Sequence, residues 1–218
     1  MHLHDNTSWR VWHSDRVPKR VDHQQRKREI AEALHGIAAV RGLQAVTLRA
    51  VAAEAGISMN LVQYYFPTKE ELLRFGWQRI VELGAERAGK GVAPALETGD
   101  ERAIMRAYLL GVLPTDERGR MLCAVQIAYL AVDVTRRSLD PGQEALLPHL
   151  VRALAEQLRQ AQDRGRIQAD LDPRLEADAL ATMAGGLLTG MLVRAYDTPQ
   201  ATAVVDYRLG QLFSRPRR

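Results

Sequence analysis

The chain has 218 residues, 46 % of them hydrophobic and 26 % charged, with a net charge of +4 and a pI near 9.4. It is long enough for one large domain or two small ones, and its composition excludes a low-complexity chain. The single cysteine, Cys123, allows no internal disulfide and reads as cytosolic. No apolar run reaches the roughly 18 residues of a membrane span. The longest, Ala184 to Val193, is broken by Gly185, Gly186, Thr189 and Gly190, and the leading MHLHDNTSWRVWHSDR lacks the apolar stretch of a signal peptide. The net positive charge sits in the first part: residues 1–90 carry 14 Lys/Arg against 10 Asp/Glu, and residues 91–218 carry 16 against 16. A basic region draws polyanions by phosphate neutralisation, though a solvated charged helix has the same composition.

Residues 1–21 read as a flexible arm without periodicity, holding Trp9, Trp12, Arg10, Arg16, Lys19 and Arg20. His2 and His4 have no partner ligands at useful spacing, so no metal is expected there. A first helix is predicted over about 23–41, with Asp22 as N-cap, Gln25 three residues on, and Ile30, Leu34, Ile37 and Ala38 on one face. A second runs from Thr47 to Ala55 and stops at Gly56; a third starts at the cap Ser58 and ends at Phe66, before Pro67. Thr68-Lys69-Glu70-Glu71 opens a fourth, predicted to end near Glu86, with the glycine-rich Ala88–Gly99 as a connection. Further helices are expected at about 100–113, 116–138, 143–164, 174–195 and 200–213, each bounded by a proline, glycine or aspartate signal. No period-2 pattern appears, so the fold class is all-α.

Two short helices around a glycine-containing break make a helix-turn-helix at 47–66. The second is too short to hold itself and needs its neighbours. Leu61, Val62 and Phe66 are its natural inward residues, which leaves Met59, Asn60, Gln63, Tyr64 and Tyr65 facing outward at least in part. Arg49 has the reach for a guanine edge, and Asn60 or Gln63 for adenine. Packing against the first helix is the alternative use of Tyr64 and Tyr65.

The segment GLQAVTLRAVAAEAGISMNLVQYYFPTKEELL, residues 42–73, resembles the DNA-binding region of TetR-family regulators. That resemblance implies that Thr47 and Lys69 clamp phosphates on either side of the groove and that Tyr65 meets the phosphate backbone. Many members carry tyrosine where this chain has Gln63, so the operator sequence does not transfer. The site expected on DNA is Thr47, Arg49, Ser58, Met59, Asn60, Gln63, Tyr64, Tyr65 and Lys69. The organisation expected is an arm at 1–21, a three-helix DNA-binding domain at 22–68, and a helical effector-binding and dimerisation domain at 69–218.

Leu146 to Phe213, above all DRGRIQADLDPRLEADALATMAGGLLTGM, resembles the C-terminal part of TetR regulators related to the betaine-pathway repressor. Leu147, Leu150, Leu154 and Leu158 fall on one stripe, and Ala177, Ala181, Gly185 and Leu188 on another. Small residues at this spacing let helices pack closely. The resemblance implies that these two helices pair with those of a second copy; packing within one subunit is the alternative. Met105, Tyr108, Leu109, Met121, Cys123, Gln126, Tyr129 and Leu130 mix apolar bulk with polar tips, as an effector pocket does, or as ordinary core does; Asp133 and Arg136 would orient a polar ligand or lie on the surface.

Catalysis is not expected. Gly84-Ala85-Glu86-Arg87-Ala88-Gly89-Lys90-Gly91 imitates a phosphate loop but ends in glycine where a Ser or Thr must hold Mg²⁺, and it follows a helix. The function expected is a cytoplasmic, homodimeric transcription regulator without cofactor. By the resemblance it is a repressor released from a palindromic duplex operator by an unidentified small molecule. An activator, or a helical adaptor that binds no DNA, are the alternatives.

Overall fold

In a computed structural model the backbone is described for residues 19–136 and 146–214, and side chains for 23–132 and 147–214. The elements are α1 (Lys19–Arg41), a 3-10 turn (Leu43–Ala45), α2 (Leu48–Glu54), α3 (Met59–Tyr65), α4 (Lys69–Thr98), α5 (Glu101–Gly111), α6 (Glu117–Arg136), α7 (Leu146–Asp163), α8 (Pro173–Leu192) and α9 (Thr198–Phe213). The described residues contain helices and no strands, so the all-α expectation holds. Residues 1–18 of the expected arm, and the break expected at Asp140-Pro141-Gly142, lie outside the described residues.

Local chemistry sets most helix ends. Thr47, Ser58 and Thr68 each accept a hydrogen bond from the backbone N–H three residues on, at 3.0, 3.2 and 3.2 Å, and so satisfy donors the first turn leaves free. Gly56 takes φ 64°, a conformation that costs an L-residue, and turns the chain sharply between α2 and α3. Asp172 caps α8 ahead of Pro173, and Asp197 with Gln200 forms a complete capping box on α9.

Two expected boundaries are corrected. Helix α1 already includes Lys19, so Asp22 lies inside it and is not its cap. Helix α4 does not stop near Glu86 but runs 30 residues to Thr98, through Gly89, Gly91 and Pro94. Each helical glycine costs about 1 kcal/mol relative to alanine, and packing against α5 outweighs that. Gly111 sits so close that a Cβ there would lie 3.2 Å from Ala88 Cα, and Val92 is buried. The Arg87 guanidinium also donates to the Gly111 and Leu113 carbonyls, at 2.8 and 3.1 Å.

The apolar side chains form two cores. The first joins Ile30, Leu34 and Ile37 of α1, Val51 of α2, Val62 of α3, Leu72, Trp77 and Ile80 of α4, and Leu122, Val125 and Tyr129 of α6. Support for the helix-turn-helix therefore extends well past residue 68. The second joins α5, α7, α8 and α9 around Leu109, Leu154, Leu158, Leu180 and Leu209. The carboxylate of Glu101, fully buried at the start of α5, is held by Arg164 and Arg166 in the turn that follows α7.

The first core closes tightly on Gly76. A Cβ there would lie 2.6 Å from Tyr129 Oη and 3.0 Å from Leu34 Cδ1. The buried His35 donates from Nε2 to the Gly76 carbonyl at 2.9 Å, and Tyr129 Oη donates to the Leu73 carbonyl at 2.9 Å. Burial, aided by the nearby Arg79 charge, holds the His35 pKa below its ordinary value; the Gly76 bond opposes the shift. The folded chain therefore keeps this ring neutral while the unfolded chain protonates it below about pH 6.5. Unfolding takes up a proton in that window, so stability is full above it and falls as pH drops through it. His35→Gln keeps a donor to Gly76 and removes the titration. Chemical denaturation between pH 7.5 and 5.5 should show the parent chain losing up to about 1.4 kcal/mol per pH unit more than this variant; parallel slopes would contradict it.

Candidate DNA interface and effector cavity

Helix α3 is held from behind by Val62 and Phe66, both buried in the first core. Its other side carries Met59, Asn60, Gln63 and Tyr64, all exposed, with Tyr64 at 68 %. Thr47, Arg49 and Ser58 are exposed as well, while Tyr65 and Lys69 are half-buried. The expected residues thus lie at the starts of three consecutive helices and along the outer side of α3. Lys27 of α1 places its Nζ 5.5 Å from the Phe66 ring centroid and 5.9 Å from that of Phe75, which ties the end of α3 to α1 and α4.

His23 completes this surface, and sequence reasoning missed it. Its ring centroid lies 4.6 Å from that of Tyr65 and 5.6 Å from that of Tyr64, and the two tyrosine rings meet edge to face at 5.2 Å. His23 Nε2 is 3.4 Å from the Tyr64 hydroxyl. The two tyrosines pack on α1 through this imidazole, the alternative use, while Tyr64 stays exposed. The residues are 41 positions apart, and no local pattern joins them.

A cavity of about 310 Å³ lies among α4, α5, α6, α7 and α8. Its wall includes Ile80, Gly84 and Arg87 from α4, Leu122, Cys123, Gln126, Ile127 and Leu130 from α6, Leu147 and Leu150 from α7, and Ala181, Ala184, Gly185, Leu188 and Thr189 from α8. Arg87 Nη2 donates to Thr115 Oγ1 at 2.8 Å and pairs with Asp116 Oδ2 at 3.1 Å. Asp116 in turn accepts from the Gly119 N–H at 2.6 Å, which with Arg87 holds its carboxyl below the usual range. Gly119 leaves room for this guanidinium: a Cβ there would lie 2.8 Å from Arg87 Nη2 and would push it aside. The segment that imitates a phosphate loop is therefore part of helix α4, and it contributes Gly84 and Arg87 to the wall. Burial pushes the Cys123 thiol up to about 11.

Of the residues expected to meet an effector, Gln126, Cys123 and Leu130 line this cavity. The others do not. Met105 is fully buried in the second core beside Leu109, and Tyr108 packs against that core. Met121 packs against the first core, and Tyr129 is committed there through Leu73 and a ring contact with Trp77 at 5.4 Å. The Asp133 and Arg136 side chains lie outside the described residues.

Of the expected dimer stripe, Leu150, Leu154, Leu158 and Ala181 are buried within one protomer, where α7 packs on α8. Leu147 and Gly185 are exposed, and with Leu188 they line the cavity. Periodicity identified an apolar face, and for those four residues α8 or α7 of the same chain covers it.

The arrangement is that of an all-helical regulator with a helix-turn-helix at one end and a ligand-sized cavity behind it. Residues 30–74 match the family described as bacterial regulatory proteins, tetR family, and residues 101–214 match BetI-type transcriptional repressor, C-terminal. The chain belongs to the TetR family of transcriptional regulators, with a BetI-type C-terminal region. It is 26 % identical over 172 residues to the HTH-type transcriptional regulator PksA of Bacillus subtilis (strain 168), covering 78 % of this chain and 80 % of that one. In structure it resembles a putative TetR-family transcriptional regulator from Rhodococcus sp. (TM-score 0.72, 23 % identity, 88 % of this chain and 100 % of that one). It also resembles a putative transcriptional regulator from Saccharomonospora viridis in complex with choline (TM-score 0.71, 23 % identity, 88 % and 100 %). The chain is accordingly a DNA-binding transcription regulator and not an enzyme. Regulators of this family bind DNA and small-molecule effectors and act as dimers.

Removing the His23 ring should free Tyr64 and Tyr65 from α1. His23→Ala is expected to weaken binding to duplex DNA several-fold, in line with about 1 kcal/mol for aromatic contacts. Fluorescence anisotropy at fixed salt reads this, and an unchanged affinity would remove His23 from the interface.

Proposed function

We propose that this chain is a cytoplasmic homodimeric repressor that sits on a palindromic operator and leaves it when a small molecule fills the cavity. One observation carries the reading: α4 is a single helix that presents Lys69 at its first turn and the cavity wall at Ile80, Gly84 and Arg87. A molecule that changes the packing of that wall acts on the same rigid element that seats the helix-turn-helix. Two discrete packings of α4 would then give two spacings of the recognition helices, only one of which fits the half-sites. The first three helices and the start of α4 read DNA in this scheme, and the remainder senses and dimerises. No observation favours an activator over a repressor.

The dimer surface supported best is the outer side of α8 and α9. Leu175, Val193 and Tyr207 are 67, 70 and 68 % exposed there. Ala179, Thr182 and Gly186 lie on the exposed track of α8 between Leu175 and Val193, where small side chains permit close approach of a second copy. Two helices from each protomer would form a four-helix contact. Tyr207→Glu should shift the protein toward monomer in sedimentation velocity and weaken operator binding; a dimer of unchanged stability would move the interface elsewhere.

On DNA, Arg49 and Gln63 are proposed to read bases, while Thr47, Ser58, Tyr65 and Lys69 position the backbone, with Met59, Asn60 and Tyr64 completing the groove contact. Selection from random duplexes should return a two-fold site with half-sites one helical turn, or a multiple, apart. Arg49→Ala or Gln63→Ala should relax preference at one base pair, at about 1–3 kcal/mol, whereas Lys69→Ala should weaken all sequences alike and lower the salt slope by about 1. Uniform losses from all three substitutions would refute these roles.

The choline of the Saccharomonospora protein is not carried over to this chain. Among the described lining residues there is neither a carboxylate nor an aromatic ring to meet a quaternary ammonium.

A further inference from the structure

Resting on the effector reading above, we infer that the cavity takes a neutral, mainly aliphatic small molecule bearing one carbonyl or hydroxyl group, which the Gln126 amide holds. The wall is dominated by Ile80, Leu122, Ile127, Leu130, Leu150 and Leu188, and its volume of about 310 Å³ suits a compact molecule. Apolar walls reward burial of hydrocarbon and penalise an unpaired charge.

Among the described lining residues, each polar side chain but one is already committed. Arg87 is the charged one, and it is satisfied by two carbonyls, the Thr115 hydroxyl and the Asp116 carboxylate. An anionic ligand would have to displace Asp116, which the Gly119 N–H also anchors. Cys123 donates its thiol to the Val112 carbonyl at 3.7 Å, and Thr189 donates its hydroxyl to the Gly185 carbonyl at 3.0 Å. Gln126 alone is left: its half-buried amide makes no hydrogen bond to any described residue. An amide offers donor and acceptor together, so it serves a ligand carbonyl or hydroxyl equally well. A ligand without such a group would strip this amide of solvent and leave it unpaired, a cost that a carbonyl or hydroxyl avoids.

The test uses the full-length chain and three probes of known chemistry: 2-nonanone, nonanoate and choline chloride. Calorimetric titration should show 2-nonanone binding at least about tenfold more tightly than either ion. Gln126→Leu, which keeps the wall apolar, should lower ketone affinity about fivefold. Gly185→Leu should abolish it, because a Cβ at Gly185 meets no atom within 4 Å and a larger side chain there fills the cavity. Either ion binding as tightly as the ketone, no ketone binding, or ketone binding unchanged in both variants would overturn the assignment. Operator affinity on the same samples separates the two readings. Ketone binding without release from DNA would sink the effector role and leave the cavity chemistry standing. Release by choline would do the reverse.

Discussion

Helix α4 can serve both ends of this protein because it lacks a side chain at Gly76. Leu34 and His35 of α1 and Tyr129 of α6 all close on that position, and one added carbon would lie 2.6 Å from the tyrosine hydroxyl oxygen. Contacts this tight do not deform gradually, because dense packing resists small displacements. A shift of α4 at this junction must therefore move α1 or α6 with it. Lys69, seven residues before Gly76, and Arg87, eleven after, lie on the same uninterrupted helix.

The polar arrangement at Arg87 sets the character of the other end. One guanidinium spans the carbonyls that end α5 and the Thr115 and Asp116 side chains that lead into α6, with Gly119 pressed against it. The charge is thereby spent on structure. Among the described residues, what remains facing the cavity is hydrocarbon and one amide, and on the proposed reading such a surface discriminates by shape and by a single hydrogen bond.

Much of the fold was legible in the sequence where local chemistry decides. Thr47, Ser58 and Thr68 each cap a helix by bonding their own first turn, and Gly56 makes its turn whatever surrounds it. The sequence misled where local and tertiary preferences conflict. Gly89, Gly91 and Pro94 are breakers by propensity, yet α4 continues, with Ala88 against Gly111 of α5 and Val92 buried. It also misled where a pattern has two physical meanings. The leucines of α7 do form a stripe, but periodicity marks a covered face without naming what covers it. His23 was invisible for a third reason, since its partners are brought near only by the fold. The expected effector residues divide in the same way: Cys123, Gln126 and Leu130 line the cavity, whereas Met105, Tyr108, Met121 and Tyr129 went to the cores, the other meaning of bulk with polar tips.

The central claim is that cavity and DNA surface communicate through α4, and the distance between the two copies of that helix tests it most directly. Arg74 is exposed on α4, and an Arg74→Cys variant would carry a spin label there. Cys123, buried and with its thiol pushed up to about 11, would compete poorly for the reagent. Pulsed electron resonance on the dimer would compare three states: free, bound to operator, and saturated with 2-nonanone. The account predicts that the operator selects one label-to-label distance and the ketone a different one. The same distance in the ketone-saturated and operator-bound dimers, with the operator nonetheless released, would contradict it.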